Sequence, residues 1–245
     1  MGSSLRLTLL GGFRLLAGDD QISVSSGSER LLAFLALGCR VVSRSLTAAT
    51  LWPDAPEHRA YASLRSALAR LDGAGRRMLH VGSTEVGLAP DTRVDFHEAR
   101  ALAERILGPD VPAGGEDLDR HAIEVLSHGL LPGWYDDWVL REAEQWHQQR
   151  LHALEALSSR FVRAGRFADA VSAASVALHA EPLRESACAA LVEAHLAEGN
   201  QAEALRQYQL YERVLRGELD LSPTPRLRDL VAGLRPADEG GPGRR

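Results

Sequence analysis

The segment His58–Arg93, HRAYASLRSALARLDGAGRRMLHVGSTEVGLAPDTR, decides how the first half of this 245-residue chain is read. Tyr61, Leu64, Leu68 and Leu71 recur at helical spacing, and Arg59, Ser63, Ser66 and Arg70 fall on the opposite side. A helix that buries leucines and presents arginine and serine is suited to lie against a polar, anionic surface. Arginine forks match phosphates and guanine edges, and short serines allow close approach. After Asp72-Gly73, the runs Leu79–Val81 and Val86–Leu88 flank Gly82–Glu85, the pattern of a hairpin. Helix followed by hairpin is the order of a DNA recognition helix and its wing.

Working outward, residues 5–24 read as short strands, with Leu5, Leu7 and Leu9 alternating with polar residues and turns at Gly11-Gly12 and Gly18–Asp20. A helix is expected over about 27–38. Ser43 caps a second helix over about 44–52 that carries Leu46 and Leu51, and Trp52–Pro56 breaks it before the basic helix 57–72. From Val94 the pattern is helical: 95–107, 118–130, 137–163, 167–180, 184–198, 201–217 and 224–234. The run 108–117 reads as a flexible connection, and 236–245 as a disordered tail.

A repeat of period 34 runs through the second half, pairing Leu157 with Leu191, Gly165 with Gly199, Ala170 with Ala204 and Ala177 with Tyr211. Large, small and breaking residues fall where a tetratricopeptide repeat places them. The second copy departs from this, with His195 in place of Phe161 and Arg216 in place of Pro182, so its last helix is expected to run on. Two repeats bury too little alone, so 95–130, 137–150 and 224–234 are expected to act as caps. The fold class is therefore mostly α. A winged helix-turn-helix with a small sheet at 1–93 precedes a tetratricopeptide-like all-α domain at 94–235.

Charge divides along the same line. Residues 1–93 hold 11 arginines against 8 acidic residues, and residues 94–245 hold 17 against 25. A basic front and an acidic back fit a nucleic-acid-binding domain joined to one with another task. All 28 basic residues are arginine. No apolar run approaches the ~20 residues a bilayer requires, and no basic n-region with an apolar core opens the chain. A cytoplasmic protein with no membrane partner is expected, and Cys39 and Cys188 read as buried thiols.

Enzyme readings find little support. A Gly-x4-Gly-Lys phosphate loop is impossible without lysine, and no nucleophile elbow, His-Glu-x-x-His or Cys-x-x-Cys is present, nor any metal-ligand spacing of histidines. No catalytic residue, cofactor or metal is assigned. Trp134, Tyr135, Trp138 and Trp146 suggest either a ligand box or an aromatic core sealing the repeats, and the core is the reading adopted. His152, Glu155 and Glu193 are candidates to line a concave repeat groove that takes partner peptides.

The segments LRLTLLGGFRLL (5–16), LLAFLAL (31–37), VVSRSLTAATLWPDAP (41–56), ASLRSALARL (62–71), VDFHEA (94–99) and PLRESACAALVEAHLAEGNQAEALRQYQLYERVLRGELDLSPTPRL (182–227) resemble, in that order, the Streptomyces antibiotic regulatory protein family. The resemblance spans about 5–234. It implies an OmpR-like winged helix and a bacterial transcriptional activation domain. It also implies binding to promoter DNA, usually at direct repeats, and recruitment of RNA polymerase, with a homodimer on DNA as one arrangement. The recognition helix then corresponds to Glu57–Asp72, the wing to Leu79–Leu88, and Pro53, Asp54 and Pro56 to a polymerase contact. The residues expected at DNA are Arg59, Ser63, Arg65, Ser66 and Arg70 on the helix, and Arg40 and Arg44 at the second helix start. Arg76, Arg77, Ser83 and Thr84 join them at the wing. Arg65 has two readings, a phosphate contact or a pair with Glu57. The alternative function is an adaptor whose repeats hold a protein partner and whose winged helix is itself a protein-contact module.

Overall fold

The computed structural model describes residues 5–38, 41–108 and 119–234. Cys39, Arg40, residues 109–117 of the expected connection 108–117 and the expected tail 236–245 lie outside the described residues. Packing divides the chain into two units. One takes in the described residues up to Ala101 together with His128–His147, and the other takes in Leu102–Ser127 and the described residues from Gln148 onward.

The first unit begins with strands β1 (Leu5–Thr8), β2 (Arg14–Ala17) and β3 (Asp20–Ile22), joined as antiparallel neighbours. A further short strand, β7 (Arg93–Val94), pairs parallel with β1, giving the order β3-β2-β1-β7. Leu7, Leu9 and Leu15 are fully buried. The helices α1 (Ser26–Leu37), α2 (Arg44–Leu51) and α3 (Glu57–Ala69) follow, then a short α4 (Gly73–Arg77). Strands β5 (Leu79–Val81) and β6 (Glu85–Leu88) form the expected hairpin. Residues Val41–Ser43, of which the sequence reading assigns only the helix cap Ser43, form strand β4, which pairs antiparallel with β6 and makes the sheet β4-β6-β5. Three helices closed by a three-stranded wing sheet are the topology of a winged helix-turn-helix.

Helix α5 (Asp95–Leu107) opens with a residue that ties the two ends of this unit together. The Asp95 carboxylate accepts the Leu9 amide at 2.8 Å and the Leu10 amide at 3.2 Å. Those amides follow β1 and have no ladder partner in the β1–β2 or β1–β7 pairings. Burial pushes the Asp95 carboxyl above the usual carboxylate range, against the opposing pull of those backbone amides.

The tryptophans belong to this unit, which corrects the expectation that they seal the repeats. Trp134 stacks on Phe13, with ring centres 6.4 Å apart. Trp138 meets Phe34 edge-on at 5.4 Å, and Trp146 meets Phe96 edge-on at 5.7 Å. The Trp146 indole donates to the His128 carbonyl at 2.9 Å. The segment around Gly129 explains the change of side: the Gly11 amide donates to Gly129 at 2.8 Å and the Leu131 amide to Leu9 at 2.9 Å. Backbone pairing thus draws 128–147 onto the N-terminal strands before the helix it leads into begins.

The second unit is helical: α6 (Arg120–Ser127), the rest of α7 (Asp137–Arg163), α8 (Phe167–Ala180), α9 (Glu185–Glu198), α10 (Gln201–Leu219), α11 (Pro225–Val231) and a 3₁₀ turn at Ala232–Leu234. The repeat spacing is realised in packing. Ala170, Ala174, Ala177 and Ala204 are fully buried, so neighbouring helices approach closely, and the Ser158 hydroxyl donates to the Ala170 carbonyl at 2.9 Å across one such approach. Gly165 and Gly199 end their helices with φ of 71° and 89°, values that favour glycine. Helix α10 does run on past Arg216. Helix α11 caps this end by burying Leu227 and Val231, and Glu185 accepts the Thr224 amide at 3.0 Å. At Cys188, burial followed by the neighbouring Glu185 pushes the thiol up to about 12, which leaves it unreactive.

Helix α6 is fastened to α8 through Asp169. Arg120 Nε donates to one of its oxygens and Arg166 Nε to the other, each at 2.8 Å. Burial raises the Asp169 carboxyl, but the two guanidiniums outweigh it and hold it below the usual carboxylate range.

Two outcomes are expected. Replacing Asp95 by Ala strands two amides and should cost about 1–3 kcal/mol in urea unfolding, with Asp95→Asn recovering part of the loss. For Asp169, a folded pKa depressed below the unfolded value contributes stability that is full above about pH 5 and fades as pH falls below about 4. The stability gap between the parent and Asp169→Asn should therefore close on acidification; a gap constant from pH 7 to 3 excludes this account.

Candidate nucleic-acid interface

Helix α3 packs on α1 and α2 through small and branched residues. Ala60, Leu64, Ala67 and Leu68 are buried, and Leu71 just beyond the helix joins them. The Ser28 hydroxyl, fully buried on α1, donates to the Ala67 carbonyl at 2.9 Å. A Cβ placed at Gly27 would meet the Ala67 methyl at an ordinary contact distance of 3.8 Å, so the crossing has room for little more than a methyl there. Ser43 caps α2 by accepting the Leu46 amide at 3.2 Å. No side chain caps α3, which starts after Pro56.

The outward face of α3 differs from the expected one by a modest rotation. The reading from leucines left out Ala60 and Ala67, which count as core. Including them turns the buried direction by roughly 30–40° at ~100° per residue. The centre of the exposed face is then Ala62, Ser66 and Ala69, all exposed, and Ser63 slides to a half-buried flank. Arg59 and Arg70 stand on one shoulder of this low ridge, and Arg65 stands on the other. All three arginines are exposed, and none forms an ion pair with the described residues. The Arg65–Glu57 pair considered from sequence is not formed. Exposed His58 sits at the helix start. His58, Ala62 and Ala69 were missed as surface residues because alanine carries no polarity signal and a lone histidine carries little.

The wing is braced against α2. The Arg44 amide donates to the Thr84 carbonyl at 2.8 Å, and the Arg44 guanidinium reaches the Gly82 carbonyl at 3.4 Å. Arg44 is thus half-buried and partly committed to the hairpin turn, whereas Ser83 and Thr84 at that turn are exposed. Arg76 and Arg77, expected at the wing border, are exposed at the end of α4. A Cβ at Gly75 in α4 would lie 2.9 Å from Leu71 Cδ2, so the leucine tip would have to shift to admit one. Pro53, Asp54 and Pro56 are exposed in the turn between α2 and α3. Of the two leucines assigned to α2, Leu51 is buried and Leu46 is 56% exposed. Arg40 lies outside the described residues.

Elsewhere, no described helix is long and apolar enough to cross a membrane. Among the described residues no group of three or more His, Cys, Asp or Glu is placed to hold a metal ion. In the second unit, His152, Glu155 and Glu193 do line one groove, of about 480 Å³, together with Ser186 and Arg226. Glu155 in that groove is held by Arg184 Nε at 2.5 Å and by the Ser186 hydroxyl at 2.7 Å.

Comparison with known proteins adds three findings. Residues 94–235 match the bacterial transcriptional activator domain. Over 98% of its length the chain is 28% identical to the regulatory protein AfsR of Streptomyces griseus, and over 96% it is 28% identical to AfsR of Streptomyces coelicolor. It spans about a quarter of those relatives, 26% and 24% of their lengths. In fold it is similar to Mycobacterium tuberculosis EmbR, solved in complex with a low affinity phosphopeptide. The TM-score is 0.72 at 21% identity, covering 96% of this chain and 67% of that one.

The Ser28–Ala67 contact generates an expectation. Ser28→Ala removes one buried hydrogen bond between α1 and α3 and should lower stability by about 1 kcal/mol. Amide exchange in α3 should accelerate more than in α9; equal acceleration in both would show that the bond does not position α3.

Proposed function

The chain belongs to the bacterial transcriptional activator domain family, and on that premise we propose that it is a sequence-specific DNA-binding regulator. It activates transcription by bringing RNA polymerase to promoters. The observation that carries this reading is the exposed face of α3, with three unpaired guanidiniums on the two shoulders of an Ala-Ser ridge. A helix so shaped seats deeply in the major groove, since nothing on its crest is larger than serine. Its arginines are free to form bidentate bonds with guanine or to neutralise phosphates. The resemblance to the Streptomyces antibiotic regulatory protein family points the same way.

In this proposal Arg59, Ser66 and Arg70 meet base edges or flanking phosphates, while Arg65 holds the opposite strand. Ser63, half-buried, is given a phosphate contact at most. The Ser45 amide and the Arg44 guanidinium receive a phosphate at the start of α2, where the helix dipole favours an anion; the Arg44 amide is already bonded to Thr84. Ser83 and Thr84 touch the neighbouring backbone through the wing, with Arg76 and Arg77 adding charge beside it. Arg40 is retained as a backbone contact. Pro53, Asp54 and Pro56, exposed between α2 and α3, meet polymerase, and two copies bound to direct repeats form the working unit in the cytoplasm. The groove around Glu155 and Glu193 supports protein contact by the helical half. The proposal assigns no catalysis, cofactor or metal to this chain.

Retention of genomic fragments by the purified protein at ~150 mM salt, followed by sequencing, tests this. Enrichment of promoter fragments sharing a repeated motif is expected. Arg59→Ala or Arg70→Ala should each weaken cognate binding by about 1–3 kcal/mol, or reduce the salt slope by about one if the contact is to phosphate. Equal retention of all fragments, unchanged in a variant carrying both Arg59→Ala and Arg70→Ala, would sink the reading and favour the adaptor.

A further inference from the structure

The segment Gly133–Asp136, which transcription leaves without a task, forms one side of a cavity in the first unit. That cavity has a volume of about 550 Å³ and is otherwise lined by Ser26, Glu29 and Arg30 from the first turns of α1. It is a shallow depression open to solvent, with room for a small ligand. Its chemistry is lopsided. Two carboxylates and one guanidinium line it, and the Arg30 guanidinium is already paired with Asp136. Glu29 has no cation partner among the described residues. It is half-buried, and burial pushes its carboxyl above the usual range, the sign of a carboxylate short of a counter-charge.

The aromatic residues complete the pattern. Trp134 is fixed by a stacked Phe13 and an edge-on Trp138, with ring centres 6.4 and 6.2 Å away. Tyr135, its neighbour, is 82% exposed and packs on no other ring among the described aromatic pairs. A rigid indole, a free phenol and an uncompensated carboxylate around one cavity suit a positively charged group, which is attracted to ring faces and to the carboxylate together.

We propose that this cavity binds a small organic cation of the ammonium class, with Trp134 and Tyr135 as its walls and Glu29 as its counter-charge. Asp136 serves the site by holding Arg30 aside. The site is separate from the DNA-facing surface of α3, and its occupancy is read without DNA.

The test uses the full chain labelled with ¹⁵N, following the tryptophan indole resonances while choline is added. 3,3-Dimethylbutan-1-ol, of nearly the same shape but uncharged, is the control. A saturable shift of the indole signal that Trp134→Phe removes is expected with choline. Binding should weaken by about tenfold for the uncharged isostere, for Glu29→Gln and for Tyr135→Ala. Absence of a saturable shift, equal binding of the isostere, or unchanged affinity in both variants overturns the site. A doubly capped Gly-Lys-Gly peptide is run alongside. Tighter binding of the peptide than of choline overturns the small-molecule assignment in favour of a protein side chain.

Discussion

The close packing of α3 on α1 is the constraint on which the first unit depends. Gly27 and Ser28 on α1 face Ala67 on α3, and the Ser28 hydroxyl is bonded to the Ala67 carbonyl. Small residues let the two helices approach, and the Ser28–Ala67 hydrogen bond together with the buried Ala60, Leu64 and Leu68 sets the rotation of α3 about its axis. Because Ala60, Leu64, Ala67 and Leu68 point inward, Ala62, Ser66 and Ala69 point outward with arginines to either side. The chemistry of the exposed face is therefore set by residues that never reach it. The same device operates in the second unit, where Ala170, Ala174, Ala177 and Ala204 sit at helix approaches and glycines turn the chain.

Much of this was legible in the residues because the periods are strong. Helices α5, α7 and α8 begin and end where amphipathic spacing and Gly or Pro punctuation place them. The hairpin was legible from its turn. The strands at 41–43 and 93–94 were not, because each is a two- or three-residue edge whose pairing comes from a distant partner, β6 or β1. The exposed face of α3 was read a few tens of degrees off for a related reason. Alanine contributes to a core through its fit, and that depends on the helix it meets.

The tryptophans show how long-range pairing overrides a local reading. Trp134, Trp138 and Trp146 precede or open the long helix that starts the repeats, so sequence order assigns them to the repeats. The amide of Gly11 and the carbonyl of Leu9 instead pair with Gly129 and Leu131, so the aromatic rings land on Phe13, Phe34 and Phe96. Two backbone hydrogen bonds across some 120 residues decide which core receives them, and no periodicity in either segment announces such a pairing. The expected caps divide accordingly, with α11 sealing its end of the repeats and the segment before α7 serving the other unit.

A chain whose basic residues are all arginine gives its composition little power to identify an interface, but the partners of each guanidinium sort them. Arg150 and Arg160 are buried and spend donors on carbonyls at helix ends, Leu126 and Gly108 among them. Arg120 and Arg166 grip Asp169, Arg184 grips Glu155, and Arg30 grips Asp136. Each of these has a structural task that a second charge would disturb. Arg59, Arg65 and Arg70 have no such pair, as Arg76 and Arg77 have none, and the three share one helix. Three exposed guanidiniums on one helix, with no carboxylate between residues 59 and 70, leave this face positive. A polyanion neutralises that face when it binds, and the counterions it sheds supply the driving force. By the same accounting with opposite sign, Glu29 is a half-buried carboxylate with no ion pair among the described residues.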